Sequence, residues 1–195
     1  MLKRILFNGS LRVVRAVVGR LRLARLMAQP GVKVGVNCVI GQSVKIGVSD
    51  GGSLEIGAGV GIGDFVEIRV RGGKICIGED AQIGQGCVIV SQKSITIGCG
   101  SLIAEYVVIR DQDHDISTRP LVAGAFVTGS IDVGSDVWIG AKASVLRGTV
   151  IGAGAVIGAH AVVRGYVPPN ALAVGVPARV VRRVASASAS DSESA

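Results

Sequence analysis

The chain has 195 residues, enough for one domain with a substantial core, and its formal net charge is +7. Hydrophobic residues make up 49% of the chain but aromatic residues only 3%, so Val, Ile and Ala must fill the core, which favours thin stacked layers over an irregular globule. The charge does not indicate nucleic-acid binding, because residues 1–30 carry seven basic and no acidic side chains while the rest has 14 of each sign.

Residues 1–30 form a basic segment ahead of the main domain. The pattern of residues 11–25 predicts a helix with Ser10 as its N-cap. Its apolar stripe is imperfect, so we expect it to cap the open end of the following domain, with peripheral contact to an anionic membrane surface as the alternative. The segment has neither an uninterrupted apolar stretch nor a cleavage site, which disfavours a spanning helix or a signal peptide.

Residues 31–184 carry an aliphatic residue, often followed by glycine, at every sixth position. Grouped in threes, these repeats define six coils that begin at residues 34, 56, 77, 97, 133 and 151. Every insertion falls between the third repeat of one coil and the first repeat of the next, which is always the same corner of a three-sided prism. Such units bury their apolar side chains only by stacking. We therefore predict an all-β parallel β-helix of about six coils, with an N-terminal helix and a short C-terminal helix.

The longest insertion is the loop 110–132, where the step from Ile109 to Val133 is 24 residues instead of six. A loop of this length in a compact domain is usually functional or disordered. It contains the run Asp111-Gln112-Asp113-His114-Asp115. Nearby carboxylates raise the proton affinity of a histidine and orient its ring, so His114 is a candidate general base, and a structural histidine is an equally supported alternative.

The remaining cysteine and histidine residues do not indicate a metal site or a disulfide framework. The four cysteines show no C-x-x-C spacing, and we interpret them as reduced residues of a cytoplasmic protein: Cys38, Cys76, Cys87 and Cys99. Only two histidines are present, and His160 is interpreted as a surface or interface residue at a coil corner. Residues 185–195 are small and polar and are expected to be disordered.

Three features are more specific than the repeat itself. They are the segment from Ile95 through His114, the spacing of 24 residues from His114 to Trp138, and the C-terminal motifs PPN and GVPARVVR. Together they resemble the maltose and galactoside O-acetyltransferase subfamily of the hexapeptide-repeat acyltransferases, over roughly residues 30–184. The resemblance implies a left-handed β-helix and a homotrimer whose active sites lie in clefts between subunits.

The resemblance also implies direct transfer of an acetyl group from acetyl-CoA to a hydroxyl, without a metal and without a covalent cysteine intermediate. His114 would be the general base, with Asp113 as its supporting carboxylate. Acetyl-CoA would contact Trp138, Ala141, Ala159, Arg164, Gly165, Arg179 and Arg182, although Arg182 also fits an exposed helix surface. Ser91 and Gln92 are neutral hydrogen-bonding residues and would contact a polar acceptor, although not through the same pocket as in the subfamily.

Two positions depart from the subfamily, since Gly84 and Gln92 stand where an Asn and an Asp help hold the acceptor sugar. We therefore expect O-acetylation of a carbohydrate such as a surface polysaccharide or its precursor, in the cytoplasm or at the inner face of the membrane. The alternatives are another hydroxyl or amino acceptor, such as serine, an antibiotic or a nucleotide-linked amino sugar, and a non-catalytic β-helix binding protein.

Overall fold

The computed structural model describes residues 19, 26–117, 119–120 and 125–184, which wind as a parallel β-helix with three sheets. Sheet A contains β1 (Val32–Val34), β4 (Ser53–Ile56), β7 (Lys74–Ile77), β10 (Ser94–Ile97), β15 (Ile131–Val133), β18 (Val150–Ile151) and β21 (Tyr166–Val167). Sheet B contains β2 (Val39–Ile40), β5 (Gly61–Ile62), β8 (Gln82–Ile83), β11 (Leu102–Ile103), β16 (Trp138–Ile139), β19 (Val156–Ile157), β22 (Ala171–Val174) and β23 (Arg179–Arg183). Sheet C contains β3 (Lys45–Ser49), β6 (Glu67–Arg71), β9 (Val88–Ser91), β12 (Val108–Arg110), β17 (Ser144–Val145) and β20 (Val162–Val163). A separate antiparallel pair joins β13 (Gln112–His114) to β14 (Phe126–Thr128).

The strand register confirms the six coils. In sheet A, Ile77 pairs with Ile56 on one side and with Ile97 on the other, and the other two sheets align their own repeat residues in the same way. These inward side chains form one continuous core, in which Ile68, Ile89 and Ile109 are fully buried. A partial seventh coil, made by β21 and β22, covers the end of the stack.

Backbone hydrogen bonds pass from coil to coil at the corners as well as along the sheets. At the corner between sheets B and C (the B–C corner), Tyr106 N donates to Gln85 O and His160 N donates to Ala141 O, each at 2.9 Å. His160 has a φ of 59°, so it occupies the left-handed turn position of that corner. This placement on an exposed corner agrees with its interpretation as a surface residue.

The insertions leave the prism at the corner between sheets C and A (the C–A corner), as the spacing predicts. The largest of them carries β13 and β14 between β12 and β15. The segment between β12 and β15 thus contains an antiparallel hairpin, and a hydrogen bond of 2.8 Å from Gly129 N to Asp111 O holds the base of this hairpin at the C–A corner.

The predicted C-terminal helix is wrong. Residues Arg179–Arg183 form β23, which pairs antiparallel with β22 through Ala173 and Val180. The physical reason is tertiary, because β22 ends sheet B and would otherwise expose a row of unpaired backbone groups. The β-branched Val180 and Val181 also suit a strand.

The ends of the chain are described only in part. Gly19 and residues 26–27 are helical, and Leu26 is buried against the core, whereas the rest of the predicted N-terminal helix and the tail 185–195 lie outside the described residues. In the part of the chain that the structure describes, no helix combines the length and apolar character needed to span a membrane.

Candidate active site

The hairpin of β13 and β14 determines where His114 lies. Its cross-strand pairs are Gln112 with Thr128, Asp113 with Val127, and His114 with Phe126. Alternate residues of a strand face opposite sides, so Gln112 and His114 share one face of the hairpin and Asp113 lies on the other. The His114 side chain is exposed, and its ring centroid lies 4.5 Å from that of Phe126. Within the described residues no hydrogen bond reaches the imidazole, which leaves its nitrogens available to a ligand.

A buried carboxylate ties the hairpin to the prism. Asp111 is fully buried and accepts hydrogen bonds from the hydroxyl of Ser91 at 2.6 Å and from the backbone N–H groups of Gln92 and Lys93, both at 2.8 Å. These donors belong to the preceding turn of the same C–A corner. Asp111 therefore fixes the root of β13 three residues before His114.

A second anchor holds the other face of the hairpin. The Asp113 carboxylate lies 2.7 Å from Nε of Arg147, which is at the C–A corner of the next coil. This contact corrects the prediction that Asp113 supports the His114 ring. The reason is the alternation along β13, which directs Asp113 away from His114 and towards the prism. Asp113 and Arg147 instead position the strand that carries His114.

The third acid of the run shapes the turn after His114. The Asp115 carboxylate accepts hydrogen bonds from the hydroxyl of Ser117 at 2.6 Å and from its backbone N–H at 2.9 Å. The hydroxyl and then the N–H stabilise the ionised form, so they hold the pKa of Asp115 below its ordinary value.

The structure separates the two predicted acceptor residues. Ser91 is fully buried, with its hydroxyl 2.6 Å from Asp111 and 3.2 Å from Lys74 O, so the prediction that Ser91 contacts the acceptor is wrong. Its hydroxyl already makes hydrogen bonds to Asp111 and to Lys74 O within the C–A corner. Gln92 is half-buried and uses only its backbone N–H on Asp111, so its side chain remains a candidate for acceptor binding.

Gly84 is required by packing at the B–C corner. A Cβ atom there would lie 2.7 Å from the carbonyl carbon of Ala104 and 2.8 Å from Glu105 N, both backbone atoms of the next coil. The departure from the subfamily at this position is therefore more than a change of side chain. The corner in this protein has no room for the asparagine.

Most residues predicted to contact acetyl-CoA lie near the B–C corner. Ala141 and Ala159 occupy this corner in successive coils, and Trp138 lies beside them on sheet B with 53% of its surface exposed. The turn after β22 continues the same corner, since Ala178 N donates to Val162 O at 2.8 Å. Arg179 and Arg182 follow it on β23, with exposed side chains. These five residues form one strip along this corner and β23, in which Ala141 is half-buried and the other four are exposed.

The other predicted residues lie at the C–A corner. Arg164 and Gly165 follow β20 there, one coil beyond Arg147, and His114 projects from the same corner on its hairpin. Sheet C lies between the two corners, so one subunit places His114 and the strip containing Trp138 on opposite edges of that sheet.

Sequence reasoning did not identify Asp111, Arg147 and Gln112 as parts of the site. Asp111 and Gln112 are buried although they belong to a polar run in the longest insertion. Arg147 lies 34 residues from its partner Asp113. A usable signal was that Arg147 follows the third repeat of its coil, at the corner from which the hairpin leaves.

Among the described residues, no group of three or more His, Cys, Asp or Glu side chains is arranged to hold a metal ion. All four cysteines are free thiols. Burial raises the pKa of Cys87 to about 11, so this thiol is protonated and unreactive near neutral pH.

Comparison with known proteins agrees with this architecture. The family model described as bacterial transferase hexapeptide (six repeats) matches residues 130–165. A probable acetyltransferase of Mycobacterium tuberculosis is 40% identical over 83% of this chain, which spans only 55% of that relative's length. An Escherichia coli K12 protein named for lipopolysaccharide biosynthesis O-acetyl transfer is 33% identical over 70% of this chain and 74% of its own. The crystal structure of a galactoside acetyltransferase with coenzyme A has 26% identity and a TM-score of 0.57, covering 80% of this chain and 66% of its own. The chain therefore belongs to the hexapeptide-repeat acetyltransferases.

Proposed function

We propose that the protein transfers the acetyl group of acetyl-CoA to a hydroxyl of a carbohydrate, with His114 as the general base. The observation that carries this proposal is the placement of His114. It is exposed on a hairpin that is fixed to the prism by the buried Asp111 and by the Asp113–Arg147 ion pair. A base that must reach a substrate proton needs this combination of an open imidazole and a fixed backbone.

The reaction that suits this arrangement is direct transfer. One ring nitrogen of His114 accepts the proton of the acceptor hydroxyl while the oxygen attacks the thioester carbonyl of acetyl-CoA. The C–S bond then breaks, and the imidazolium returns the proton to the departing CoA thiolate. The step requires no protein nucleophile, and the raised pKa of Cys87 makes that buried residue unsuitable as one.

The B–C corner is the proposed binding strip for CoA. Trp138 presents an exposed aromatic face, the small residues Ala141 and Ala159 allow a chain to lie close to the backbone, and Arg179 and Arg182 supply charge for phosphate groups. The galactoside acetyltransferase that resembles this chain was crystallised with coenzyme A. Arg164 and Gly165 lie at the other corner and would meet the nucleotide end from a neighbouring subunit.

We propose a homotrimer because one subunit does not complete the site. His114 and the strip containing Trp138 lie on opposite edges of sheet C, and a general base must approach the reacting hydroxyl to within hydrogen-bond distance. A three-fold assembly that places the C–A corner of one subunit against the B–C corner of the next would bring the two groups together. It would also cover exposed apolar residues such as Leu102 and Val39.

A carbohydrate acceptor is supported by what the relatives are named for, namely lipopolysaccharide biosynthesis and galactoside acetylation. The crowded backbone at Gly84 argues against the same sugar contacts as in the galactoside enzymes. We therefore propose a different carbohydrate, such as a surface polysaccharide unit or its precursor, acetylated in the cytoplasm where acetyl-CoA is available.

The experiment that tests the function is an acceptor screen with acetyl-CoA. Methyl glycosides of common hexoses and N-acetylhexosamines, serine, and an aminoglycoside would be incubated with the protein, CoA release followed, and the products identified by mass spectrometry. We expect an O-acetylated glycoside. Products acetylated only on nitrogen, or no release with any acceptor, would contradict the proposal.

The intersubunit site has its own test. Neither His114→Ala nor the double variant Arg179→Ala, Arg182→Ala should be active alone at low acetyl-CoA. When the two are unfolded and refolded together, some mixed trimers carry an intact His114 opposite intact arginines and should recover activity. If the mixture stays inactive although mixed trimers form, each site lies within one subunit.

A further inference from the structure

A buried polar group close to His114 has no partner. Gln112 is only 7% exposed, and its side-chain oxygen Oε1 has no hydrogen-bond partner in the structure. It is the one such buried side-chain atom among the described residues. Folded proteins rarely leave an amide oxygen in this condition, because its hydration is lost without compensation. An unpaired group of this kind calls for a ligand or a functional explanation.

The position of Gln112 relates it to the proposed reaction. Gln112 and His114 are two residues apart on β13, so both face the same side of the hairpin, opposite to Asp113. The contact between the rings of His114 and Phe126 confirms that this face carries the cross-strand pair. Residues two apart on a strand have Cα atoms about 7 Å from each other. The unpaired oxygen therefore belongs to the residue that shares a hairpin face with His114, although the atom itself is buried in the unliganded protein.

We propose that Gln112 binds the acceptor, its Oε1 accepting a hydrogen bond from a second hydroxyl next to the one that reacts. This inference rests on the proposed function and narrows its substrate class. A molecule that satisfies both side chains must carry a second hydroxyl group close to the reacting one, as a sugar ring does. A simple monohydroxy alcohol would leave Oε1 unpaired and would be a poor acceptor.

The neighbouring residues do not supply the missing bond from within the fold. The carboxylates of Asp111 and Asp113 cannot supply it, because they accept hydrogen bonds from Ser91, Gln92, Lys93 and Arg147 and have no proton to donate to Oε1. Thr128 pairs with Gln112 across the hairpin, but no hydrogen bond joins their side chains. A purely structural glutamine would be expected to use its amide oxygen in the unliganded protein.

Thermal melting of the unliganded protein separates a binding role from a structural role. Gln112→Met keeps the length of the side chain and removes the unpaired oxygen, so we expect the melting temperature to stay equal to that of the wild type or to rise. Gln42→Met is the matched control, because Gln42 uses its amide on Asp64 in an exposed turn of the first coil. If the melting temperature of Gln112→Met is clearly below those of the wild type and of Gln42→Met, the Gln112 amide stabilises the fold and the proposal is overturned.

Kinetics with modified acceptors test the hydrogen bond itself. The methyl glycoside with the highest turnover would be compared with its deoxy analogues, each lacking one hydroxyl, and with the matching deoxyfluoro analogues. For the wild type and Gln42→Met, we expect one deoxy analogue to lose tenfold or more in kcat/KM, about 1.4 kcal/mol. For Gln112→Met, kcat/KM should be the same for that analogue and for the parent glycoside.

The analogues also define what would contradict the inference. A fluorine accepts weakly but cannot donate, so the deoxyfluoro analogue should be as poor as the deoxy one. If the deoxyfluoro analogue recovers the kcat/KM of the parent glycoside, the protein donates the hydrogen bond to the acceptor and Oε1 does not accept it. If Gln112→Met still discriminates against the deoxy analogue, the contact belongs to another residue. Transfer by the wild type to none of the glycosides would contradict the proposed function itself, and the inference would fall with it.

Discussion

The buried carboxylate of Asp111 offers a sharp test of how the hairpin is held. Replacing it by alanine removes the acceptor for three donors, the Ser91 hydroxyl and the backbone N–H groups of Gln92 and Lys93. Hydrogen bonds to a charged group contribute about 1.5–3 kcal/mol each, so the three together amount to about 5–9 kcal/mol. Burial of the carboxylate carries a desolvation cost that offsets part of this, and we expect a net loss of about 2–4 kcal/mol.

That loss corresponds to a fall in melting temperature of about 5–15 °C for a chain of this size. Asp113→Ala is the matched control, since its carboxylate is 53% exposed and an ion pair of that kind contributes less than about 1 kcal/mol. The assay is differential scanning calorimetry of both variants beside the wild type. Equal small shifts for the two variants would refute the idea that Asp111 is the main anchor.

Four further results are expected. Ser117→Ala should move the pKa of Asp115 upwards, towards its ordinary value, because the Ser117 hydroxyl is the main group that lowers it; an unchanged NMR titration would contradict this assignment. Iodoacetamide should modify the exposed Cys99 well before the buried Cys87. Burial raises the pKa of Cys87 from 9.0 to about 11, so as the pH rises the unfolded chain loses the thiol proton of Cys87 before the folded protein does. The wild type should therefore lose stability relative to Cys87→Ala as the pH rises from 9.0 towards 11, and parallel stability curves would contradict the stated pKa. Deleting residues 1–25 should lower the melting temperature, because Leu26, Ile40 and Ile46 line a groove at the first coil that a capping segment would cover. An unchanged melting temperature, together with loss of binding to anionic lipid vesicles, would instead favour the membrane alternative.

The repeat was predictable because every inward residue occupies the same position of its six-residue unit and is buried in the same way. Ile56, Ile77 and Ile97 each occupy one position of a six-residue unit, and stacking identical units brings them into register. The corner used by the insertions follows from the same spacing. Family membership was also predictable, since the motifs around His114, Trp138 and the C-terminal GVPARVVR are local in the sequence.

The parts that could not be predicted depend on contacts between distant residues. Asp113 was assigned to His114 by proximity in the chain, but its partner Arg147 is brought to the hairpin by the next coil. Ser91 was taken as an acceptor contact because it is polar, but closure of the corner buries it against Asp111, 20 residues away. The strand β23 forms because β22 leaves an open sheet edge, which no pattern within Arg179–Arg183 reveals.

The central claim is that His114 is the base for acetyl transfer to a hydroxyl, and its most direct measurement is the turnover of His114→Ala. The variant should retain the melting temperature and the oligomeric state of the wild type, because the imidazole is exposed and makes no hydrogen bond within the described residues. With the acceptor found in the screen, kcat should fall by about 10²–10⁴-fold while the thermal shift caused by acetyl-CoA persists. Turnover equal to that of the wild type, in a variant that folds normally, would contradict the account.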